Sequence, residues 1–494
     1  MPKRPNILIL QTDHQRHDSL GAVDPKIKTP NLDKLARRGT RFSQAVNNCP
    51  MCVPSRYSMM TGLYPSQLGV RHNRQIICRD EDVPLPVLAE RLRRAGYRTG
   101  GFGKTHWYLG LNHGVPGQVN GTTRGFEVRA MARSYVERQN EGPPEEVDYF
   151  GEEFPERAAR IHEEREKGGP GGETPPGYLG GTSVFPASEH RETWTTDKAL
   201  AFLEAAKEGD KPWLCYLSFD APHPGLFVPP EHEALYDPAD FADAAVPEVP
   251  NEGHRAGWRE TEWAALNQQE RAMARLRFFA YCSYLDEQFG RVLDWLDRAG
   301  QAENTLVLMT SDHGDMLGER GRITKYCLYE SSIRVPLVLA GPGVAEAVVD
   351  DRPAELVDVV PTVLDAAGEA IPPSLPGLSL LRDVRREGAF AEMHGQGYED
   401  IQEAPALMWR TKEWKLILYM PCRLQNAVGN LQAAKGELYH LTDDPYETQN
   451  LYDEPQHLEV RERMTRDLLL RLACAWAAYP MGDTPVALQD EMRQ

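Results

Sequence analysis

The sequence predicts an α/β protein in which a large mixed β-sheet is sandwiched by helices and followed by a small antiparallel C-terminal subdomain. Short apolar segments, each compatible with a buried strand, alternate with longer helix-like segments along most of the chain. The clearest strand segments are 6–12, 97–102, 213–219, 305–310 and 334–343. The clearest helix segments are 29–39, 85–95, 193–208, 271–300 and 357–365.

Near the C-terminus the pattern changes to short strand-like segments, which are typical of an antiparallel sheet. These segments are 389–392, 406–410, 414–419 and 437–441, and a helix is expected over 456–478. A Pro-rich stretch at 372–377 precedes them and is typical of a linker. We therefore expect a large α/β domain over 1–380 and a small α+β subdomain over 381–494.

The length and composition support this division into a large and a small unit. The chain has 494 residues, of which 41% are hydrophobic, enough for a large core and a smaller second one. The region 110–190 differs because it is rich in Gly, Pro and charge. We expect a long insertion there that serves as a lid, and a partly disordered surface excursion is the alternative.

The charge and the cysteines restrict the partners and the compartment. A formal net charge of −18 argues against nucleic acid, although a local cluster of cations can still bind a small anion. Apolar runs long enough for a signal peptide or a membrane span are absent, so no membrane partner is expected. The 8 cysteines show no disulfide framework, which favours a cytoplasmic location. A homo-oligomer is compatible with all of these features.

Polar residues follow several predicted strands at the point where each strand ends. Asp13 and His14 follow the first strand, and Asp312 and His313 follow the strand 305–310. Lys104, His106 and His223 follow two further strands. Because ligands of open α/β sheets bind beyond the carboxyl ends of the strands, we expect these side chains to meet at one edge.

A cysteine lies at the predicted start of a short helix that ends near Gly62. Pro54 suits the first turn of this helix, and Arg56 lies one turn after Cys52. A helix N-terminus and an arginine both favour an anion, so we expect a lowered thiol pKa and an anion site at Cys52. A buried structural cysteine is the alternative. Cys49 forms a Cys-x-x-Cys pair with Cys52, but no second pair with zinc spacing follows.

The run Cys52-Val53-Pro54-Ser55-Arg56, followed by Thr61-Gly62-Leu63-Tyr64-Pro65, resembles the signature of the type I, formylglycine-dependent sulfatases of the alkaline phosphatase superfamily. The resemblance implies an alkaline phosphatase-like fold and hydrolysis of sulfate monoesters to an alcohol and inorganic sulfate. It also implies that a formylglycine-generating enzyme oxidises Cys52, and that the hydrated aldehyde is the nucleophile. The implied substrate is a small-molecule sulfate ester, and 1–380 becomes the catalytic domain.

The resemblance further implies one divalent metal ion, held by Asp13, Asp312, His313 and the modified Cys52. Calcium is expected, with magnesium or manganese as alternatives. His14 stands where the family has a second metal-binding aspartate. As a ligand, His14 would shift the preference from calcium towards softer ions.

The remaining roles also follow from the resemblance. Arg56 would hold the nucleophile, and Lys104 and Lys325 would bind the sulfate oxygens. His106 would take a proton from the diol. His223 would contact the ester oxygen, and either His223 or Lys325 would protonate the leaving alcohol. Asn73 is a candidate sulfate contact from a polar loop, for which a plain surface role is the alternative.

Two other functions are compatible with the sequence. A phosphonate monoester or phosphodiester hydrolase of the same superfamily would share the metal and the nucleophile. The Gly-Lys-x-His segment around Lys104 favours the sulfatase, whereas His313 and the missing second aspartate favour the phosphonate hydrolase. A non-catalytic binding protein would leave Cys52 unmodified.

Overall fold

The structure of the protein is a computed structural model, and it describes most of the chain. The described residues are 4–73, 75, 77, 83–106, 124–131, 147–167, 178–242, 258–394, 405–420 and 435–478. Expectations that fall on the remaining residues lie outside this description, among them those for much of the segment 110–190.

Within the described residues, nine strands form the central sheet. The first eleven described strands in chain order are β1 (Asn6–Thr12), β2 (Gly39–Val46), β3 (Arg98–Gly103), β4 (Val128–Met131), β5 (Val147–Tyr149), β6 (Gly181–Thr182), β7 (Trp213–Ser218), β8 (Phe227–Val228), β9 (Thr305–Ser311), β10 (Leu337–Ala340) and β11 (Val348–Glu355). The spatial order is β11-β2-β10-β9-β1-β7-β3-β4-β5, while β6 and β8 pair separately. The sheet is mixed because β10 runs antiparallel to β2 and β9.

Four neighbouring strands in the middle of the sheet, β9, β1, β7 and β3, run parallel to one another. β1 is buried along its whole length and pairs in parallel with β7 on one side and β9 on the other. β3 extends the same parallel block beyond β7. Parallel strands point their carboxyl ends towards one edge, so the residues after β1, β3, β7 and β9 share that edge.

Helices cover both faces of the sheet, because alternate side chains of each strand point to opposite faces. Leu8 and Leu10 of β1 belong to the apolar cluster on one face, and Ile7 and Ile9 to the cluster on the other. The helices of the first face are Pro30–Arg37, Arg191–Lys207 and Gln268–Arg298. Those of the second face are Cys52–Thr61, Leu88–Arg94 and Val359–Ala367.

The C-terminal part forms its own sheet, as predicted. In the described part of the chain it has four antiparallel strands in sequential order: β12 (Gly388–Met393), β13 (Ala406–Thr411), β14 (Trp414–Tyr419) and β15 (Lys435–His440). The helix Leu458–Ala478 packs against this sheet through Met464 and Leu468. The predicted fold class is therefore confirmed, while the domain boundary near residue 380 stays a prediction.

Two strands of the central sheet fall within the region 110–190, whose role as a lid stays a prediction. β4 and β5 continue the central sheet beyond β3, so this portion belongs to the sheet itself. These strands have only four and three residues, too few for a periodic pattern to show in the sequence. The helices Phe150–Glu153 and Pro155–Lys167 follow them.

Other short helices connect the main elements. They are Pro65–Leu68, Pro230–Glu233, Trp258–Ala265 and Glu330–Ile333. Among the described helices, none combines the length and the apolar character that crossing a lipid bilayer requires.

Candidate active site

The carboxyl edge of the central sheet brings the predicted residues to one point. Asp13 follows β1, and Asp312 and His313 follow β9. Cys52 begins the helix that starts at the same edge. One ligand atom from each of these four residues lies within 4.8 Å of the others, and all four side chains are buried. Chain segments 300 residues apart in sequence therefore form one cluster.

Contacts with two other segments of the chain hold the start of the Cys52 helix in place. The backbone N–H of Val53 donates to the Asn73 Oδ1 at 3.1 Å, and the Ser55 hydroxyl donates to the Asp312 carbonyl at 2.5 Å. Gly62 ends the helix in the left-handed conformation, with φ of 77°. Asn73, predicted as a sulfate contact, is thus buried against the first turn of the helix. Its contact with sulfate stays a prediction.

The environment of the Cys52 thiol differs from the sequence-based expectation. Its Sγ lies 3.2 Å from His313 Nε2, 3.7 Å from Asp13 Oδ1 and 2.9 Å from Lys325 Nζ. Burial, followed by the Asp13 charge, raises the pKa of the thiol to about 11. The prediction of a lowered thiol pKa is therefore wrong, because burial and carboxylates outweigh the helix N-terminus and the cations.

Arg56 contacts the carboxylates of the cluster. Its Nε donates to Asp312 Oδ2 at 2.8 Å, and its Nη2 lies 3.4 Å from Asp13 Oδ2. Its Nη1 donates to the Lys104 carbonyl and the Ser218 hydroxyl, both at 2.8 Å. The side chain is completely buried. Arg56 thus joins the ends of β1, β3, β7 and β9 and neutralises part of the charge of the two acids.

The chemistry of the donor set fits a divalent metal ion. His313 Nδ1 donates to the Gly314 carbonyl at 2.9 Å, which leaves Nε2 as an acceptor. This Nε2 lies 3.6 Å from Asp312 Oδ1 and 3.7 Å from Asp13 Oδ1. Burial lowers the pKa of His313 to about 4, so the imidazole is neutral at pH 7. Two carboxylates and a neutral imidazole nitrogen are ordinary ligands of a divalent cation.

Two lysines border this cluster. Lys104 forms ion pairs with Asp13 and with Asp220, the latter at 2.7 Å. Lys325 Nζ lies 2.5 Å from His14 Nε2, in addition to its contact with Cys52. Burial lowers the pKa of each lysine, but the neighbouring negative groups raise it further, so both pKa values end above the ordinary range. Both lysines therefore carry a positive charge at neutral pH.

Two more histidines complete the surroundings of the cluster. The ring centroid of His14 lies 4.4 Å from those of His223 and His313. Asp13, His14, Cys52 and His223 form a second group of ligand atoms within 4.8 Å of one another. Burial, together with Lys325, lowers the pKa of His14 and of His223 well below the ordinary value.

His106 is the predicted site residue whose place in this cluster is least defined. It lies two residues after Lys104 and is half-buried, and its backbone has a positive φ of 59°. Such a conformation is uncommon for a residue other than glycine. Its role as the base that takes the proton from the diol stays a prediction.

Sequence reasoning missed several residues that support the site. Asp315 contacts His14, Tyr178 contacts Asp315, and Asp220 contacts Lys104. Asp315 lies in the same Ser-Asp-His-Gly-Asp run as Asp312, and Asp220 directly follows a predicted strand, so their positions in the sequence could have identified both as site residues. No sequence pattern identifies Tyr178, because its contact with Asp315 joins residues 137 positions apart.

Two family profiles match the sequence of this chain. The sequence profile of the family described as Sulfatase matches residues 5–369, and that of the N-sulphoglucosamine sulphohydrolase C-terminal region matches residues 318–473. The chain belongs to the sulfatase family. This sulfatase is 30% identical over 479 residues to a choline-sulfatase of Rhizobium meliloti, covering 92% of this chain and 83% of the relative. It is 26% identical over 495 residues to an arylsulfatase of Clostridium perfringens, covering 97% of each chain.

The solved structures show the same fold. The phosphonate monoester hydrolase of Agrobacterium radiobacter superposes on this sulfatase with a TM-score of 0.76, covering 96% of each chain at 23% identity. The predicted membership of the sulfatase family and the alkaline phosphatase-like fold are therefore confirmed. As a member of this family, the protein is a sulfuric ester hydrolase.

Proposed function

We propose that this sulfatase hydrolyses small-molecule sulfate monoesters to an alcohol and inorganic sulfate, with a formylglycine made from Cys52 and one divalent metal ion. The observation that supports this best is the meeting of Cys52, two carboxylates, His313 and two lysine ammonium groups at one edge of the sheet. Sulfate ester hydrolysis needs cationic groups around a nucleophile, because negative charge spreads over the departing group.

Asp13, Asp312, His313 and the modified Cys52 would hold the metal ion. Calcium is the first candidate, and magnesium or manganese are alternatives that the imidazole ligand makes more competitive. When bound, the ion supplies a Lewis acid next to the nucleophile. When Cys52 is modified by a formylglycine-generating enzyme, its hydrated aldehyde supplies the nucleophile. The raised pKa of the unmodified thiol makes Cys52 itself a poor nucleophile at neutral pH.

The two lysines would bind the sulfate group. Both are charged: Lys104, which follows β3, pairs with Asp13, and Lys325, in the segment between β9 and β10, contacts Cys52 Sγ. The ion pairs of Arg56 are with Asp13 and Asp312, so we propose that Arg56 positions these two acids. In this arrangement the lysines stabilise the sulfuryl oxygens while Arg56 keeps the carboxylates in place.

The same contacts favour Lys325 over His223 as the group that protonates the leaving alcohol. His223 Nδ1 lies 3.1 Å from the Pro224 carbonyl, which can only accept, so Nδ1 carries the hydrogen. In the neutral imidazole, Nε2 is then an acceptor and has no proton to give. Lys325 retains its proton at neutral pH and lies next to residue 52. His106 would accept the proton when sulfate is released.

Parallel assays test the proposal. The protein is expressed with a formylglycine-generating enzyme, and the peptide containing residue 52 is weighed by mass spectrometry to confirm conversion. We expect turnover of 4-nitrophenyl sulfate, and loss of that turnover in Cys52→Ala. The names of two relatives make choline sulfate and aryl sulfates the first substrates to compare. Fully converted, metal-loaded protein that hydrolyses no sulfate ester would contradict the proposal.

A second candidate is a phosphonate monoester hydrolase of the same superfamily. Two histidines favour it: His313 at the metal cluster, and His14 in place of the family's second aspartate. An aryl phosphonate monoester assayed beside the aryl sulfate separates the two functions. A higher kcat/KM for the phosphonate would select the second candidate.

A further inference from the structure

His14 occupies the position at which the family resemblance places a second acidic metal ligand. Its side chain is almost completely buried, with 1% exposure. The two ring nitrogens contact different partners, one on each side of the imidazole. Because neutral imidazole has one donor and one acceptor nitrogen, the partners decide which nitrogen carries the hydrogen.

The partner of Nδ1 is a carboxylate that other donors hold in place. Asp315 Oδ2 lies 2.8 Å from His14 Nδ1. Asp315 Oδ1 accepts hydrogen bonds from the Tyr178 hydroxyl at 2.5 Å, the Leu317 N–H at 2.8 Å and the Thr324 N–H at 3.0 Å. Asp315 Oδ1 therefore acts only as an acceptor, and the carboxyl group is fixed with Oδ2 towards His14. The direction of the bond between Oδ2 and His14 Nδ1 is set by the other nitrogen of the ring.

The partner of Nε2 is an ammonium group. Lys325 Nζ lies 2.5 Å from His14 Nε2 and 2.9 Å from Cys52 Sγ. An ammonium group can only donate, so His14 Nε2 accepts from Lys325. The hydrogen of the neutral ring is then on Nδ1, which donates it to Asp315 Oδ2. The chain of contacts thus runs from Tyr178 through Asp315 and His14 to Lys325.

One group of ligand atoms is complete without His14, since it consists of Asp13, Cys52, Asp312 and His313. His14 belongs to a second group, in which it joins Asp13, Cys52 and His223. His14 Nε2 lies 3.5 Å from Asp13 Oδ1, close enough to border the metal cluster. Its nearest polar contact is nevertheless the lysine.

We infer that Tyr178 and Asp315 are positioning residues, which hold His14 as the Nδ1–H tautomer so that its Nε2 fixes the Lys325 ammonium beside residue 52. His14 then orients a lysine instead of binding the metal. The inference rests on the proposed function insofar as Lys325 acts on the sulfate ester.

Asp315→Asn provides the sharpest test. The donors around Oδ1 require the amide oxygen at that position, so the amide NH2 faces His14 Nδ1. The hydrogen of His14 must then move to Nε2, where it faces the Lys325 ammonium. We expect kcat to fall at least about 100-fold, since a wrong histidine tautomer in a catalytic triad costs about 10⁴-fold. The metal content, measured by elemental mass spectrometry, should stay at the wild-type value.

Tyr178→Phe is the milder variant and decides the matter if Asp315→Asn does not fold. The ring keeps its edge contact with Trp263, at 5.9 Å between centroids, and only the hydroxyl is lost. We expect kcat to fall about 3- to 10-fold, as for one lost hydrogen bond. The matched control is Tyr419→Phe, which removes another buried hydroxyl that donates to a carboxylate, Glu437 of the C-terminal sheet, and should leave kcat unchanged.

Further readouts separate positioning from a merely structural role. With Lys325 as the acid, the loss should be larger for an alkyl sulfate than for 4-nitrophenyl sulfate, whose leaving group needs less protonation. A structural loss would be equal for both. Calorimetry with inorganic sulfate and metal-loaded protein should show about 10-fold weaker binding to Asp315→Asn, without requiring turnover. A wild-type protein that hydrolyses no sulfate ester would end the proposed function, and this binding comparison would still judge the inference.

Two results would overturn the inference. One is wild-type kcat and sulfate affinity in both Asp315→Asn and Tyr178→Phe. The other is a loss of bound metal in His14→Gln, which would make His14 a metal ligand. We expect His14→Gln to keep its metal and to lose activity.

Discussion

At the scale of single residues, Arg56 shows how a buried cation compensates the charge of two buried carboxylates. Asp13 and Asp312 are both fully buried at the same strand edge. Two buried carboxylates repel each other and pay a large desolvation cost unless cations compensate them. Arg56 contacts both acids and also binds backbone and hydroxyl acceptors, so its guanidinium is fully used.

We predict that Arg56→Met lowers the free energy of unfolding by about 3–5 kcal/mol, because it removes the guanidinium group that compensates the buried Asp312 carboxylate. Denaturant unfolding of the metal-free protein measures this loss. The matched control is Arg38→Met, which breaks an exposed pair with Asp297 and should cost at most about 1 kcal/mol. Equal losses in the two variants would contradict the prediction.

Much of the site could be predicted at this scale, and the limit has a physical cause. Cys52, Asp13 and Asp312 were predicted because each belongs to a local motif at a strand or helix end. The thiol pKa was predicted in the wrong direction, because burial depends on the whole fold and not on the neighbouring residues. The partners of His14 come from positions 178, 315 and 325, and no local pattern joins them.

At the scale of elements, the helix Cys52–Thr61 depends on how it ends as well as on how it begins. Gly62 follows it with a positive φ of 77°, and a Cβ there would lie 3.1 Å from Leu375 Cδ2 and 3.2 Å from Val360 Cβ. The end of the helix is thus packed tightly against another part of the core. An added methyl group would press on the helix that carries Cys52.

We predict that Gly62→Ala lowers the free energy of unfolding by about 2–3 kcal/mol. About 1–2 kcal/mol comes from the left-handed backbone, and the rest from overpacking. Gly300→Ala is the control, since its φ of 63° is similar but nothing lies within 4 Å of the added Cβ. It should show only the backbone cost. Thermal unfolding of both variants measures the difference, and identical losses would exclude the packing effect.

The helix Arg191–Lys207 carries a buried acid in its first turn. Arg191 Nε donates to Glu192 Oε1 at 2.9 Å, and Arg191 also pairs with Asp220 at 3.0 Å. Burial raises the pKa of Glu192, but the Arg191 charge and the contacts with His190 together lower it more, so the pKa falls to about 2 from 4.5. The folded state therefore favours the ionised acid.

A lowered pKa stabilises the fold above the unfolded value and is lost as the pH falls through the folded value. We therefore predict that Glu192 contributes about 3 kcal/mol at pH 7, which disappears between about pH 4.5 and pH 2. Unfolding measured across this range should show a shallower acid slope in Glu192→Gln than in the wild type. Parallel slopes would contradict the prediction.

Elements were easier to predict than their ends or their pairing. The strands of the central block and the C-terminal sheet came from apolar length and alternation, and the structure places them within a few residues of the expectation. The sequence does not predict β4 and β5, because strands of three or four residues are too short to show a periodic pattern. Their strand structure comes from pairing, of β4 with β3 and of β5 with β4. The antiparallel direction of β10 also has no signal within the strand.

At the scale of the whole molecule, buried charges connect the two sheets. Glu330 follows the Lys325 loop and accepts two hydrogen bonds from Arg410 of β13, both at 2.8 Å. Lys415 of β14 lies 3.2 Å from Glu330 and 2.6 Å from Glu447. Glu447 in turn accepts the Glu330 backbone N–H at 2.8 Å. The loop that carries Lys325 is therefore anchored on the C-terminal sheet.

We predict that Lys415→Met lowers the free energy of unfolding by about 3–5 kcal/mol, since it leaves two buried carboxylates with less compensation. Lys412→Met is the control, because Lys412 is exposed, lies in the adjacent turn and pairs with exposed Asp351. That variant should cost at most about 1 kcal/mol. Denaturant unfolding of both variants measures the difference, and a loss below about 1 kcal/mol in Lys415→Met would refute the anchoring role.

The reversed direction of β10 has a consequence for how the catalytic groups are supplied. β9 ends at the edge where the cations gather, and a neighbour running the opposite way must begin at that same edge. The chain between these two strands therefore has no need to travel back across the protein. Its full length from residue 312 to 336 stays available for chemistry, and it carries Asp312, His313, Asp315 and Lys325 in a single excursion. A parallel neighbour would have required much of that length merely to return to its starting side.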